Sequence, residues 1–199
     1  LKLVAHDDPF FRELPHGAAS LTTKLNIADA NYVVKKRNGV WSNIAAGFNL
    51  WVRVMAQGTD GSIYIGGEFT NVGDANGDYI LRYDPVAGTL SSLGTGAAGG
   101  IVRAVAIAAN GDVYIGGEFA IVGGVANTES IARWDGSVWN EVGGGITGSV
   151  RALSFGHDGT LYIGGSFTNH FDANGDYITK WNGTAYSSLG TGMNQVVGA

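Results

Sequence analysis

Short runs in which apolar and polar residues alternate, cut by glycine-bearing turns, fill most of this chain. Alternation of that kind marks half-buried strands, whose side chains point to opposite faces in turn. One run organises the rest. Ile63-Tyr64-Ile65-Gly66-Gly67-Glu68-Phe69 returns as Val113-Tyr114-Ile115-Gly116-Gly117-Glu118-Phe119 and as Leu161-Tyr162-Ile163-Gly164-Gly165-Ser166-Phe167. The copies are about 50 residues apart, the spacing of stacked repeats. Each unit, starting near Val52, Val102 and Val150, carries four strand signals. The first is Val52-Arg53-Val54-Met55 with its copies Val102-Arg103-Ala104-Val105 and Val150-Arg151-Ala152-Leu153, and the second is the organising run. The third is Ile80-Leu81-Arg82-Tyr83, Ile131-Ala132-Arg133-Trp134 and Ile178-Thr179-Lys180-Trp181. The fourth is Leu90-Ser91-Ser92-Leu93, Trp139-Asn140-Glu141-Val142 and Tyr186-Ser187-Ser188-Leu189.

Four antiparallel strands per unit at this period predict an all-β fold, a β-propeller of four-stranded blades. Asp60-Gly61, Asn110-Gly111 and Asp158-Gly159 join the first two strands, and Asp135-Gly136 and Asn182-Gly183 join the last two. Such dipeptides predict type I′ turns, with positive φ at both central residues. The paired glycines of the organising run predict a bulge or a close approach of neighbouring backbones.

The repeat phase covers residues 31–199, and residues 1–30 form an N-terminal extension. Within the extension, residues 1–5 read as a strand, residues 6–11 as a turn around Pro9, residues 12–20 as a loop and Leu21 to Ile27 as a strand. Residues 31–41 match the second half of a unit, and Val197-Gly198-Ala199 matches the start of a first strand. Three full blades are therefore expected with partial ones beside them. Either the chain is a piece of a larger propeller, the favoured account, or its two ends share one composite blade.

Composition sharpens this picture. The chain has 33 glycines against 3 prolines, as many tight turns require. Its net charge is −5 and Lys35-Lys36-Arg37 is the only basic run, so no nucleic-acid partner is expected. There is no cysteine, which excludes a disulfide framework and a thiolate metal site. A reducing compartment fits that, as does a particle assembled in one and then released. No apolar run approaches the roughly 18 residues of a membrane span, and no signal peptide is visible.

Candidate chemistry is sparse. Asp74, Asn76 and Asp78 recur as Asp172, Asn174 and Asp176. Oxygen side chains at positions 1, 3 and 5 match the opening of a calcium loop. Tyr79 and Tyr177 then stand where that loop needs glycine, and the middle unit lacks the aspartates. An Asx-rich loop whose side chains cap backbone N–H groups is the stronger reading. These six residues are the candidate calcium ligands, and no other cofactor is expected. Arg53, Arg103 and Arg151 repeat on the innermost strand, either as a positive ring for an anion or paired with Glu68 and Glu118. Trp41, Tyr83, Trp134, Trp139, Trp181 and Tyr186 offer faces for sugars, although their repeat-locked places favour packing. Trp51 breaks the pattern, standing where the other units have Ile101 and Ser149. The four histidines show no metal-ligand spacing and no nucleophile elbow is present, so no enzyme is expected.

The unit Leu/Ile-Tyr-Ile-Gly-Gly-x-Phe, followed by Ile-Ala-Arg-Trp-Asp-Gly and Trp, resembles glycine-rich propeller repeats of surface proteins and of tailed-bacteriophage tail proteins. Residues 3–11, Leu3 to Phe11, resemble the end of the ring-forming domain of distal-tail or minor-tail proteins. The resemblance implies a non-enzymatic structural or adhesive module in the virion. It would assemble with other tail proteins as an oligomer and touch a host-surface glycan. A bacterial cell-surface binding protein or lectin with the same blades is the alternative.

Overall fold

The computed structural model describes residues 2–5, 33–37, 40–44, 47–171 and 176–198. The turn, loop and strand expected between residues 6 and 32 lie outside the described residues. Every regular element that is described is a strand. β1 (Lys2–Ala5), β2 (Val33–Arg37) and β3 (Val40–Asn43) form a three-stranded sheet. The first blade is β4 (Val52–Gln57), β5 (Ile63–Gly67), β6 (Ile80–Asp84) and β7 (Thr89–Ser92), paired in that order. After the short β8 (Ala97–Ala98), the second blade begins with β9 (Ile101–Ile107) and β10 (Val113–Glu118). The short β11 (Ile121–Val122) pairs with β8, and β12 (Ile131–Trp134) and β13 (Trp139–Asn140) complete the blade. The third blade is β14 (Val150–Phe155), β15 (Leu161–Gly165), β16 (Ile178–Trp181) and β17 (Tyr186–Ser188). All pairings are antiparallel, and the architecture is that of a β-propeller.

The apolar clusters lie at the joints between sheets. One joins Val33, Ile44 and Phe48 to Ile65, Leu81 and Tyr83 of the first blade. A second joins Tyr64, Ile80, Leu93 and Ala97 to Val102, Val113 and Ile115 of the second blade. The third joins Tyr114, Ile131, Val142 and Ile146 to Val150, Leu161 and Ile163 of the third. Adjacent residues such as Tyr64 and Ile65 serve opposite joints because a strand turns successive side chains to opposite faces. A twisted four-stranded sheet alone would leave both faces wet, so each blade is stabilised by its neighbours.

The glycine pairs explain the close spacing. A Cβ on Gly66 would sit 2.6 Å from Val102 Cγ1 of the following blade, and Gly116 faces Val150 even more tightly. Gly164 repeats the arrangement with Val197 at 2.5 Å. The second glycine of each pair abuts a backbone carbonyl of its own blade: Trp51 for Gly67, Ile101 for Gly117 and Ser149 for Gly165. The bulge is also present, on the first strand. Val52 and Val54 pair with successive glycines and leave Arg53 as the extra residue. Arg103 and Arg151 occupy the same place.

The expected type I′ turns are not found. Gly61, Gly111 and Gly159 have φ of 82°, 94° and 80°, but the Asp or Asn before each is not among the positive-φ residues. The Gly61 N–H donates to the Gly58 carbonyl at 3.0 Å, and the Gly58 N–H to the Ser62 carbonyl at 2.7 Å. This is a three-residue loop, an ordinary turn closed by a left-handed glycine. Asp60 accepts from the Ser62 N–H at 2.9 Å, which a side chain two residues upstream can do without positive φ. Within Asp135-Gly136 and Asn182-Gly183 only the glycines, the first central residues, are left-handed, as in a type II′ turn.

Candidate functional site

The rim where each first strand begins carries the polar groups singled out by the repeat. The bulge re-aims its extra residue. Arg53 Nε donates to Glu68 Oε1 at 2.8 Å, and its Nη2 forms an ion pair with the same oxygen. In the second blade Arg103 Nε donates to Glu118 Oε1 at 3.0 Å, and Ser149 Oγ donates to that oxygen at 3.0 Å. Arg103 first, then Ser149 and the more distant charge of Arg151, hold the Glu118 carboxyl below the usual range. Arg151 has Ser166 in the place of the glutamate. Two of the three arginines are thus neutralised within their own blades, and the structural pairing prevails over an open cationic ring.

Trp51 lies on this rim and is 41 % exposed. The Arg53 guanidinium sits 4.5 Å from its ring centroid, a cation–π contact that fixes one ring face while Glu68 fixes the arginine. The segment before it is pinned as well. Asn49 Nδ2 donates to the Thr70 carbonyl at 2.9 Å, and Asn49 Oδ1 accepts from the Thr70 N–H at 3.1 Å. Leu50 beside it is also exposed. The arrangement offers an ordered, partly apolar aromatic platform edged by charge. Such a surface stacks on the C–H face of a sugar ring and can hydrogen-bond its hydroxyls. The signal in the sequence was its departure from the repeat at Trp51.

The repeat-locked aromatics have another task. The Trp139 Nε1–H donates to the Leu93 carbonyl of the preceding blade at 2.8 Å, and the Tyr186 hydroxyl to the Val142 carbonyl at 2.6 Å. Trp134 and Trp181 lean on these rings at centroid distances of 5.3 and 4.8 Å. Tyr83 is buried with its hydroxyl accepting from Lys35 Nζ at 2.9 Å. Trp139 and Tyr186 are latches between blades, with their faces covered. The side chain of Trp41 lies outside the described residues.

The candidate calcium residues cap their loops. Asp74 Oδ1 accepts from the Asn76 N–H at 2.8 Å, and Asp78 Oδ1 from the Asn71 N–H at 2.7 Å. Asp176 Oδ1 accepts from the Asn169 N–H at 2.6 Å, while Asp172 and Asn174 lie outside the described residues. In the middle unit Thr128 Oγ1 accepts from the Val122 N–H at 2.9 Å. That N–H corresponds to the one of Val72, which donates to the Gly77 carbonyl at 3.1 Å, so the threonine stands in for a backbone acceptor and the middle unit holds its loop without the aspartates. Among the described residues no three His, Asp or Glu side chains gather as a metal site would require. His157 is exposed beside its turn. His170 is half-buried against Phe167 and Tyr186, its Nε2 without a partner among the described residues. His6 and His16 are outside the described residues.

Residues 58–90 match a family described as a domain of unknown function (DUF5122) beta-propeller. No curated protein matches the chain. Among solved structures, the chain is similar to the crystal structure of the extracellular domain of BT4673 from B. thetaiotaomicron, with 15% identity and a TM-score of 0.48. That likeness covers 68% of this chain and 18% of the other.

Proposed function

We infer that the chain is a non-enzymatic structural and adhesive module of a phage tail, presenting propeller blades for virion assembly and host-surface contact. The observation that carries the adhesive part is Trp51: an exposed aromatic face held by Arg53 and Glu68, on a scaffold whose repeat-locked aromatics are spent on packing. The ligand class that suits it is a surface glycan, since carbohydrate recognition combines a stacked ring with hydrogen bonds to hydroxyls. The resemblance of residues 3–11 to the end of a tail ring-forming domain supports the virion setting. The bacterial surface lectin remains the second reading, and the same platform serves it. A glycan array tests the adhesive reading. Binding to a subset of glycans, lost on Trp51→Ala, is expected, and uniform signal across the array or no effect of the substitution would overturn it. The coding sequence upstream of Leu1 separates the two settings: a tail-ring domain favours the virion, a secretion signal the cell surface.

A further inference from the structure

Arg151 differs from the two arginines that share its place. All three are the extra residue of a bulged first strand, and the bulge turns each onto the same rim. Arg53 and Arg151 are both exposed, although the first blade is flanked by sheets on both sides, so exposure belongs to this place in the repeat. The first two blades supply a partner. Arg53 Nε donates to Glu68 Oε1 at 2.8 Å, and Arg103 Nε to Glu118 Oε1 at 3.0 Å. The third blade has Ser166 there, on a backbone held in the same way. The Ser166 N–H donates to the Ser149 carbonyl at 2.8 Å, as the Glu68 N–H does to the Trp51 carbonyl. Serine is the shorter side chain, and among the described residues no carboxylate forms an ion pair with Arg151. The strand that follows brings none, because Val196 and Gly198 stand at the places of Ser149 and Arg151, with Val197 over Gly164 as Val150 is over Gly116.

We propose that Arg151 and Ser166 form a subsite for the carboxylate of an acidic sugar, which takes the place that the Glu68 and Glu118 side chains fill in the other two blades. The inference rests on the adhesive reading of Trp51 and gives its glycan a charge class. The molecule itself supplies the template, since it shows twice how an arginine at this bulge holds a carboxylate. A guanidinium presents a planar fork of donors that fits a carboxylate, and such a charge-assisted contact is roughly twice as strong as a neutral one. The Ser166 hydroxyl adds a donor where glutamate has none. The first strands β4, β9 and β14 stand side by side, so Trp51 and Arg151 lie on one rim with the second blade between them. Along that row Arg53 and Arg103 are balanced by Glu68 and Glu118, and the charge of Arg151 is left over on a chain whose net charge is −5.

The test titrates the 199-residue chain over sialylated glycans, uronic-acid glycans and the neutral parent of each. One or both acidic classes should bind at least about tenfold more tightly than their parents, and added salt should narrow the gap. The two acidic arms show which sugar acid supplies the carboxylate. Arg151→Gln should close the gap. Ser166→Glu should close it too with the arginine still in place, because it restores the ion pair of the other blades. Trp51→Ala should lower acidic and neutral binding alike. Equal binding of acidic and neutral glycans, lost on Trp51→Ala, would overturn the subsite and leave the adhesive reading standing. A gap that survives Arg151→Gln or Ser166→Glu would overturn the subsite as well. Absence of binding to every glycan would overturn both.

Discussion

The second and third blades are built from nearly the same residues, yet their tyrosines have opposite fates. Tyr114 is 7 % exposed and Tyr162 36 %. Both follow a hydrophobic residue on the second strand, precede the same Ile-Gly-Gly and pair with a basic residue, Arg133 or Lys180, on the third strand. Local sequence therefore sets strand, register and bulge equally well in both. Burial is set elsewhere, by whether a valine-bearing first strand with its sheet arrives on top. The contrast teaches that the stability of a blade is a property of its joints, as in other stacked repeats.

The sharpest way to break this comparison is at the glycines. Gly116→Ala inserts a methyl group into Val150, whose strand is paired and buried, and should cost about 2–3 kcal/mol by overpacking. Gly164→Ala clashes with Val197, half-buried and flanked by exposed residues, which can yield, and makes ordinary contact with Ala152. There the cost should stay below about 1 kcal/mol. Urea titration of both variants checks the difference, and equal losses would mean that the joint is not what distinguishes the blades. Next in size are the latches. Trp139→Phe removes the side-chain donor to the Leu93 carbonyl and Tyr186→Phe that to the Val142 carbonyl, which keep the N–H groups of Gly96 and Gly145, so each should cost about 1 kcal/mol. Both latches lie in covered joints, so the two losses should match.

How much of this was legible beforehand follows the same line. The period, the four strands and the glycine pairs could be read from Tyr64, Tyr114, Tyr162 and their neighbours because they are local and repeated. The turn type at Asp60-Gly61 was misjudged because loop length depends on where pairing ends, at Gly58 and Ser62, and the dipeptide does not encode that. The ring of arginines left two readings open because the spacing of Arg53 and Glu68 shows no side-chain direction, and the bulge supplied it. Trp51 was visible only as a break in the repeat. Its exposure and its contact with Arg53 depend on the bulge and on the packing of the rim, which the residue order does not encode.

His170 gives a smaller effect of opposite sign. It occupies the place of the buried Val72 and Val122, and burial pushes its imidazole below the ordinary value of 6.5. The fold therefore favours the neutral ring, and the unfolded chain binds more protons. Stability should fall as pH drops below about 6.5. His170→Val should gain about 1 kcal/mol and remove that part of the acid loss, visible as a flatter plot of melting temperature against pH.

The ion pair of the second blade should contribute least. Arg103 and Glu118 are both partly open to solvent, so Glu118→Gln should cost below about 1 kcal/mol at neutral pH. Its pH signature is the better test. The carboxyl titrates below its ordinary value of 4.5 in the folded protein. The stabilisation from the pair is complete above that value and is lost as pH falls through the lower, folded one. The wild-type and glutamine proteins should therefore differ at neutral pH and converge in acid, and added salt should shrink the gap. A gap that persists in acid would show that the charge on Glu118 is not what stabilises the rim, because the hydrogen bond from Ser149 can be accepted by glutamine as well and cancels in the comparison.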